Sequence, residues 1–178
     1  MFEDLKSLEY TDKLYKNDIL KVLKKHAETI SVFDIMDSTS RFRDACKYVR
    51  LEYKGHFDDI YVKNFYMRVK DISKDKNDYK DTVNKKLFIK AISYFQKQDE
   101  KYKEEFGEAR KIAKSRLIYY LICIYTTFIL DEPIHHVGST FPGHTKVRYD
   151  NGIYYCPVKA NNSNNPKAVC RYCIAKQG

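Results

Sequence analysis

Cysteines and histidines gather near the end of the chain in a pattern that suits metal binding. Three of the five cysteines, Cys156, Cys170 and Cys173, follow His135, and the last two form a Cys-x-x-Cys pair. Three thiolates and one imidazole make a complete ligand set for a tetrahedral zinc ion. The sequence therefore predicts a zinc site held by these four residues.

Alternatives to this zinc site stay open at the level of sequence. His136 and His144 lie in the same region and are further candidates for the histidine ligand. A three-cysteine iron–sulfur cluster is the main alternative to zinc, because thiolates also bind such clusters. Four protein ligands would make the metal structural, whereas three ligands and a water would indicate catalysis. In that second case the open metal site would lie between Phe141-Pro142-Gly143 and the cysteines.

Local signals predict the elements that position the cysteines. All four prolines and four of the six glycines follow residue 132, which separates the tail from the rest of the chain. Asp150-Asn151-Gly152 stands between two β-prone segments, and Asn-Gly in that setting is a strong hairpin signal. We expect the hairpin to place Cys156 at the end of its second strand. A tight turn should present Cys170 and Cys173.

The residues before the tail show helical patterns almost throughout. Apolar side chains recur at steps of three and four residues, which predicts about five helices. One helix is predicted from a cap at Ser31 to Gly55, and Gly107 marks a joint. The segment Glu108–Leu130 becomes apolar on all sides, as a central helix would. Cys46 and Cys123 fall on apolar faces and are predicted to fill space in the core.

These patterns predict a mainly α protein. We expect a bundle of about five helices over residues 1–132. A small β-hairpin and zinc-knuckle-like subdomain over residues 133–178 should pack on it. The longest apolar run, Leu117–Leu130, has 14 residues, and a membrane span needs about 20. The sequence therefore predicts no membrane association. No signal-peptide pattern precedes the cysteines, so we expect a reducing cytoplasm, where clustered cysteines more often bind metal than form disulfides.

Positive charge is concentrated in the tail. The chain has a net charge of +9, and the tail from Pro133 onward has six basic residues against one acidic residue. Such a surface either keeps the tail soluble or contacts a nucleic acid or an acidic protein. Tyrosines interleaved with these cations would suit single-stranded nucleic acid. The candidate anion-binding residues are Lys146, Arg148, Lys159, Lys167 and Arg171.

Four short segments of the tail carry a resemblance to a known family. The segments are His135-His136-Val137-Gly138, Phe141-Pro142-Gly143, Tyr154-Tyr155-Cys156-Pro157-Val158-Lys159 and Cys170-Arg171-Tyr172-Cys173. Together they resemble the C-terminal pattern of an uncharacterised protein family of methanogenic archaea. The resemblance covers residues 133–178 and favours His135 over His136 as the fourth ligand. Where the family pattern tends to have a second glycine after Phe-Pro-Gly, this chain has His144. The family is of unknown function, so the resemblance implies no activity.

Overall fold

Five long helices dominate the part of the chain that the structure describes. The computed structural model describes residues 1–46, 59–141 and 143–178, with side chains for all of these except residues 45, 46 and 59–64. The helices in these ranges are α1 (Phe2–Lys6), α2 (Lys16–Ala27), α3 (Val32–Cys46), α4 (Asp59–Lys74), α5 (Lys85–Phe106), α6 (Arg110–Phe128) and α7 (Lys159–Ser163). Of these, α1 and α7 have only five residues each. The predicted mainly α fold with about five long helices is confirmed.

The central helix is α6. From Ile118 to Phe128 its side chains are buried, apart from a partly exposed Tyr119, and it packs against α2, α3, α4 and α5. A helix that is apolar on all sides needs such a complete set of neighbours. Gly107, with φ of 79°, ends α5 just before α6 begins. None of the described helices is long and apolar enough to cross a membrane.

The start of α3 follows the predicted cap. The Asp34 backbone N–H donates to the Ser31 hydroxyl at 3.1 Å, and the Ser31 backbone N–H donates to the Asp34 carboxylate at 2.8 Å. This reciprocal pair satisfies two backbone groups that the first helical turn leaves free. The predicted end of this helix at Gly55 lies outside the described residues.

The tail contains short strands around the predicted hairpin. The strands are β1 (Thr140–Phe141), β2 (Thr145–Lys146), β3 (Arg148–Asp150), β4 (Ile153–Cys156) and β5 (Lys176–Gln177). Asn151 and Gly152, with φ of 48° and 81°, connect β3 to β4, as expected for a two-residue turn with both residues left-handed. The predicted hairpin is therefore confirmed. Strand β5 then pairs in parallel with β4, an addition that the sequence did not predict.

The end of the tail docks on helix α5. Val169 is 3% exposed and belongs to the same buried cluster as the helix residues. The ring of Tyr172 lies 5.7 Å from that of Phe95 and 5.5 Å from that of Tyr94. Val169 and Tyr172 flank Cys170 on either side, so their packing holds the Cys-x-x-Cys segment against the helical bundle.

Candidate metal centre

The three tail cysteines come together from two separate segments. Cys156 ends β4 and is 5% exposed. Cys170 begins a 3₁₀ turn that covers residues 170–172, and the Cys173 backbone N–H donates to the Cys170 carbonyl at 3.2 Å. The Cys173 side chain packs against the buried cluster that contains Cys156. The fold thus brings together the two segments that contain the three predicted thiol ligands, and all three cysteines line one cavity.

Burial and the nearby cysteine thiols both raise the pKa values of Cys156 and Cys170. Burial raises the pKa of Cys156 and of Cys170 above the ordinary value of a thiol. The neighbouring Cys173 raises both pKa values further, because thiolates of like charge disfavour one another. Without a cation the thiols are therefore protonated at neutral pH, and a metal would displace their protons on binding.

Cys123 lies on the central helix, in the large buried cluster against which Cys173 packs. It is fully buried, and burial raises its pKa well above the ordinary value. Cys173 and Cys170 raise this pKa further, while a hydrogen bond from the Tyr119 hydroxyl lowers it. The prediction that Cys123 is buried in the core is confirmed. Cys46, the other predicted core cysteine, has a side chain outside the described residues.

The three candidate histidines lie in different surroundings. His135 is partly buried, with its ring edge-on to Phe141 at 5.1 Å. Burial lowers the pKa of His135 to about 4, so its imidazole is neutral at pH 7 and has the form that binds metals. His136 is exposed, and its Nδ1 lies 3.0 Å from the Ser139 hydroxyl. His144 is exposed at a turn, with φ of 57°.

No preformed metal cage exists in the described part of the chain. Among residues 1–46, 59–141 and 143–178, no three His, Cys, Asp or Glu side chains are already arranged as metal ligands. Zinc–sulfur bonds of about 2.3 Å in a tetrahedron require sulfurs about 3.8 Å apart. Metal binding would therefore require these side chains to move from the positions that the structure gives them. The donor set fits zinc, because thiolates are among the ligands that zinc prefers.

The Lys159 side chain binds the backbone of the Cys-x-x-Cys turn. Its ammonium donates to the carbonyl of Cys170 and to that of Cys173, the latter at 2.7 Å. Its positive charge also lowers the pKa of Cys156 and Cys170, although burial still keeps both raised. Lys159 thus favours the thiolate forms that a metal requires, while it fixes the backbone between two of the candidate ligands.

A substitution of Lys159 tests this supporting role. We expect Lys159→Met to weaken zinc binding about 10–100-fold, because partners outside the ligand shell orient the ligands and compensate their charge. Competition with a chromophoric chelator measures the affinity. Lys146→Met, at an exposed lysine of β2, is the matched control and should bind zinc as the wild type does. Equal affinities for all three proteins would contradict the assigned role of Lys159.

The other basic residues of the tail have mixed surroundings. Lys167 pairs with Glu105 at 3.1 Å. Arg148 lies over the ring of Tyr155 at 4.3 Å, and Arg171 lies over that of Tyr94 at 5.4 Å. Lys159 points to backbone carbonyls, as described above. Of the predicted set, Lys146, Arg148, Lys167 and Arg171 are exposed, whereas Lys159 is partly buried.

A large cavity opens beside the cysteines. Its volume is about 1270 Å³, and residues of α3, α5, α6 and the tail line it. Cys156, Cys170, Cys173 and His135 all contribute to its wall, together with Phe141. The four predicted zinc ligands therefore border one continuous space.

Comparison with known proteins gives the chain a family. Residues 15–178 match the model of the family described as "Uncharacterized protein conserved in archaea" (DUF2115). A UPF0305 protein of Methanothermobacter thermautotrophicus is 34% identical over 160 residues, which cover 89% of this chain and 94% of the relative. A UPF0305 protein of Methanocaldococcus jannaschii is 28% identical over 164 residues, with the same two coverages.

A third methanogen has a relative that matches over a shorter segment. A UPF0305 protein of Methanopyrus kandleri is 36% identical over 75 residues, which cover 41% of this chain and 53% of the relative. No solved structure matches significantly. The resemblance of the tail to a methanogen family is confirmed. With nearly its whole length matched, the chain belongs to the DUF2115 family of archaeal proteins.

Proposed function

We propose that this protein binds one zinc ion through Cys156, Cys170 and Cys173, and that the ion has a structural role. The observation that supports the proposal is that these three cysteines line one cavity between the tail and the helices. Cys173 packs both on the helical core and on the small tail cluster. An ion held there would tie the strands of the tail to the 3₁₀ turn that rests on α5. His135 is the fourth ligand that the sequence favours.

Metal analysis of untagged protein tests this function. Protein made and purified under anaerobic, reducing conditions should contain about one zinc per chain, as expected for a single tetrahedral site. The triple variant Cys156→Ser/Cys170→Ser/Cys173→Ser is the control and should contain none. Iron with acid-labile sulfide in place of zinc would indicate an iron–sulfur cluster. The absence of both zinc and iron would contradict the proposal.

A metal-dependent enzyme is a second candidate, and the cavity favours it. A metal held by only three protein ligands in the cavity wall would keep a position for water, as catalytic zinc sites do. The cavity of about 1270 Å³ is large enough for a small-molecule substrate. The two candidates differ in the number of protein ligands, because four would close the coordination shell and leave the metal structural.

A further inference from the structure

The three-stranded sheet of the tail has one face that packs inward and one that faces solvent. Val147, Cys156 and Ala175 form the buried cluster of the tail, and each is at most 5% exposed. Each lies within or directly beside a strand, where successive side chains alternate between the two faces. The next residue along the chain after two of them, and the one before Cys156, therefore belong to the opposite face. These residues are Arg148, Lys176 and Tyr155.

These three residues form a row across the sheet. Arg148 is the register partner of Tyr155 where β3 meets β4, and Tyr155 is the register partner of Lys176 where β4 meets β5. Register partners lie on the same face, and neighbouring strands are about 4.8 Å apart. An aromatic ring therefore lies between two cationic residues whose Cα atoms are about 10 Å apart.

The Arg148 side chain lies over the aromatic ring and stays accessible to solvent. Its guanidinium carbon is 4.3 Å from the centroid of the Tyr155 ring, and the side chain is 56% exposed. The Asp150 carboxylate approaches the guanidinium at 3.9 Å, but its side chain is 57% exposed. Ion pairs between such exposed groups contribute little, so Arg148 can exchange this partner for a ligand.

The surroundings of the row are basic. Lys146 precedes Arg148 by two residues and is exposed on β2, and Lys176 is exposed on β5. Asp150 is the only acidic residue of the sequence from Pro133 onward. A ligand that lies along the row therefore meets three cations and one carboxylate, and this charge complements a polyanion.

From this arrangement we propose that the outward face of the tail sheet binds a single-stranded nucleic acid. Phosphates pair with Lys146, Arg148 and Lys176, and a base stacks on the Arg148 guanidinium and the Tyr155 ring. Unpaired bases stack on aromatic rings and arginine planes because every base has a π-face. A duplex keeps its bases stacked and offers mainly phosphates. The inference goes beyond the proposed metal site and does not depend on its ligand set.

Fluorescence anisotropy with a labelled single-stranded RNA of about 12 nucleotides tests the proposal. We expect binding at about 50 mM salt, and a slope of log affinity against log salt of about −2, as three phosphate contacts on a single strand give. Affinity should thus fall about 20-fold between about 50 mM and 200 mM salt. The proposal is overturned if micromolar protein does not bind at the lower salt. Equal binding of duplex RNA, or of poly-glutamate, which has no bases, overturns it as well.

A pair of charge-matched variants locates the binding surface. Arg148→Ala/Lys176→Ala removes two cations of the row and should weaken RNA binding more than about 10-fold at about 50 mM salt, with a slope reduced to about −0.7. Lys21→Ala/Lys97→Ala removes the same charge from exposed positions of α2 and α5 and should bind as the wild type does. Equal weakening in both variants would mean that only net charge matters, which contradicts a site on the sheet.

Two further measurements separate base stacking from charge. Tyr155→Leu retains every charge and should weaken binding about 10-fold without changing the salt slope, because stacking does not depend on ions; an unchanged affinity would overturn the stacking role. Photo-crosslinking of RNA that contains 5-iodouridine to the wild-type protein requires no substitution, so it holds even where a variant fails to fold. We expect crosslinks within residues 146–156, and crosslinks that all lie outside the tail sheet would overturn the proposal.

Discussion

Cys173→Ser is expected to lose its zinc and, with it, about 4 kcal/mol of unfolding free energy when free zinc is about 1000 times its dissociation constant. A metal that binds only the folded state stabilises that state by mass action, and a serine hydroxyl does not replace a thiolate ligand. For a chain of this size, the thermal midpoint should fall by about 8–16 °C. Circular dichroism during heating, in buffers that set the free zinc concentration, measures the change.

Chelation separates the effect of the metal from the effect of packing. In EDTA, wild type and Cys173→Ser should differ by no more than about 1 kcal/mol, an ordinary value for a single substitution. Ala175→Ser is the matched control, because it places a hydroxyl in the same buried cluster and removes no sulfur. It should retain zinc. A difference between wild type and Cys173→Ser that persisted in EDTA would mean that Cys173 acts through packing alone.

The small buried cluster of the tail explains why a bound metal ion would stabilise it. Its own buried cluster, within the described residues, consists of Val147, Cys156 and Ala175. Three side chains of this size bury little apolar surface, and small cores rarely order a chain segment without a further constraint. The strands of the tail are also short, at two to four residues. Val169 and Tyr172 dock the 3₁₀ turn on the helices, and the proposed ion would fix the strands of the tail.

The parts of the fold that the sequence predicted are those with strong local signals. The central position of α6 follows from an apolar surface on every side, which only a surrounded helix can bury. The hairpin between β3 and β4 follows from Asn151-Gly152, because both residues readily adopt the left-handed conformation that the turn requires. Ser31 identifies the start of α3 because serine is a preferred helix cap.

The parts that the sequence did not predict depend on contacts between distant segments. The parallel pairing of Lys176–Gln177 with β4 involves only two residues and has no pattern of its own. Cys123 lies on a helix whose faces are all apolar, so periodicity cannot show that one of them meets the tail. Val169 and Tyr172 pack on the helical cluster that contains Cys123, and this contact joins segments that lie far apart in the sequence. From its residue type alone, Cys123 could not be distinguished from any other small apolar side chain of the core.

The buried ion pair between α5 and α6 gives the second large expected effect. The Arg116 Nε donates to the Asp99 carboxylate at 2.6 Å, and the two side chains are 8% and 13% exposed. Arg116 also lies over the ring of Tyr102 at 5.4 Å. Asp99→Ala would leave the guanidinium buried without its carboxylate. We expect a loss of about 3–5 kcal/mol in unfolding free energy, measured by urea denaturation.

Two further variants distinguish the loss of stability caused by a buried, unpaired charge from the stability that the ion pair itself contributes. Asp99→Leu/Arg116→Met removes both charges and should recover most of the stability, because a buried pair contributes little beyond an apolar replacement of similar volume. Asp37→Ala breaks the more exposed pairs with Arg41 and Lys111, at 2.9 Å and 3.3 Å, and should cost no more than about 1 kcal/mol. A double variant as unstable as Asp99→Ala would show that the pair itself, and not the isolated charge, determines how α5 and α6 pack.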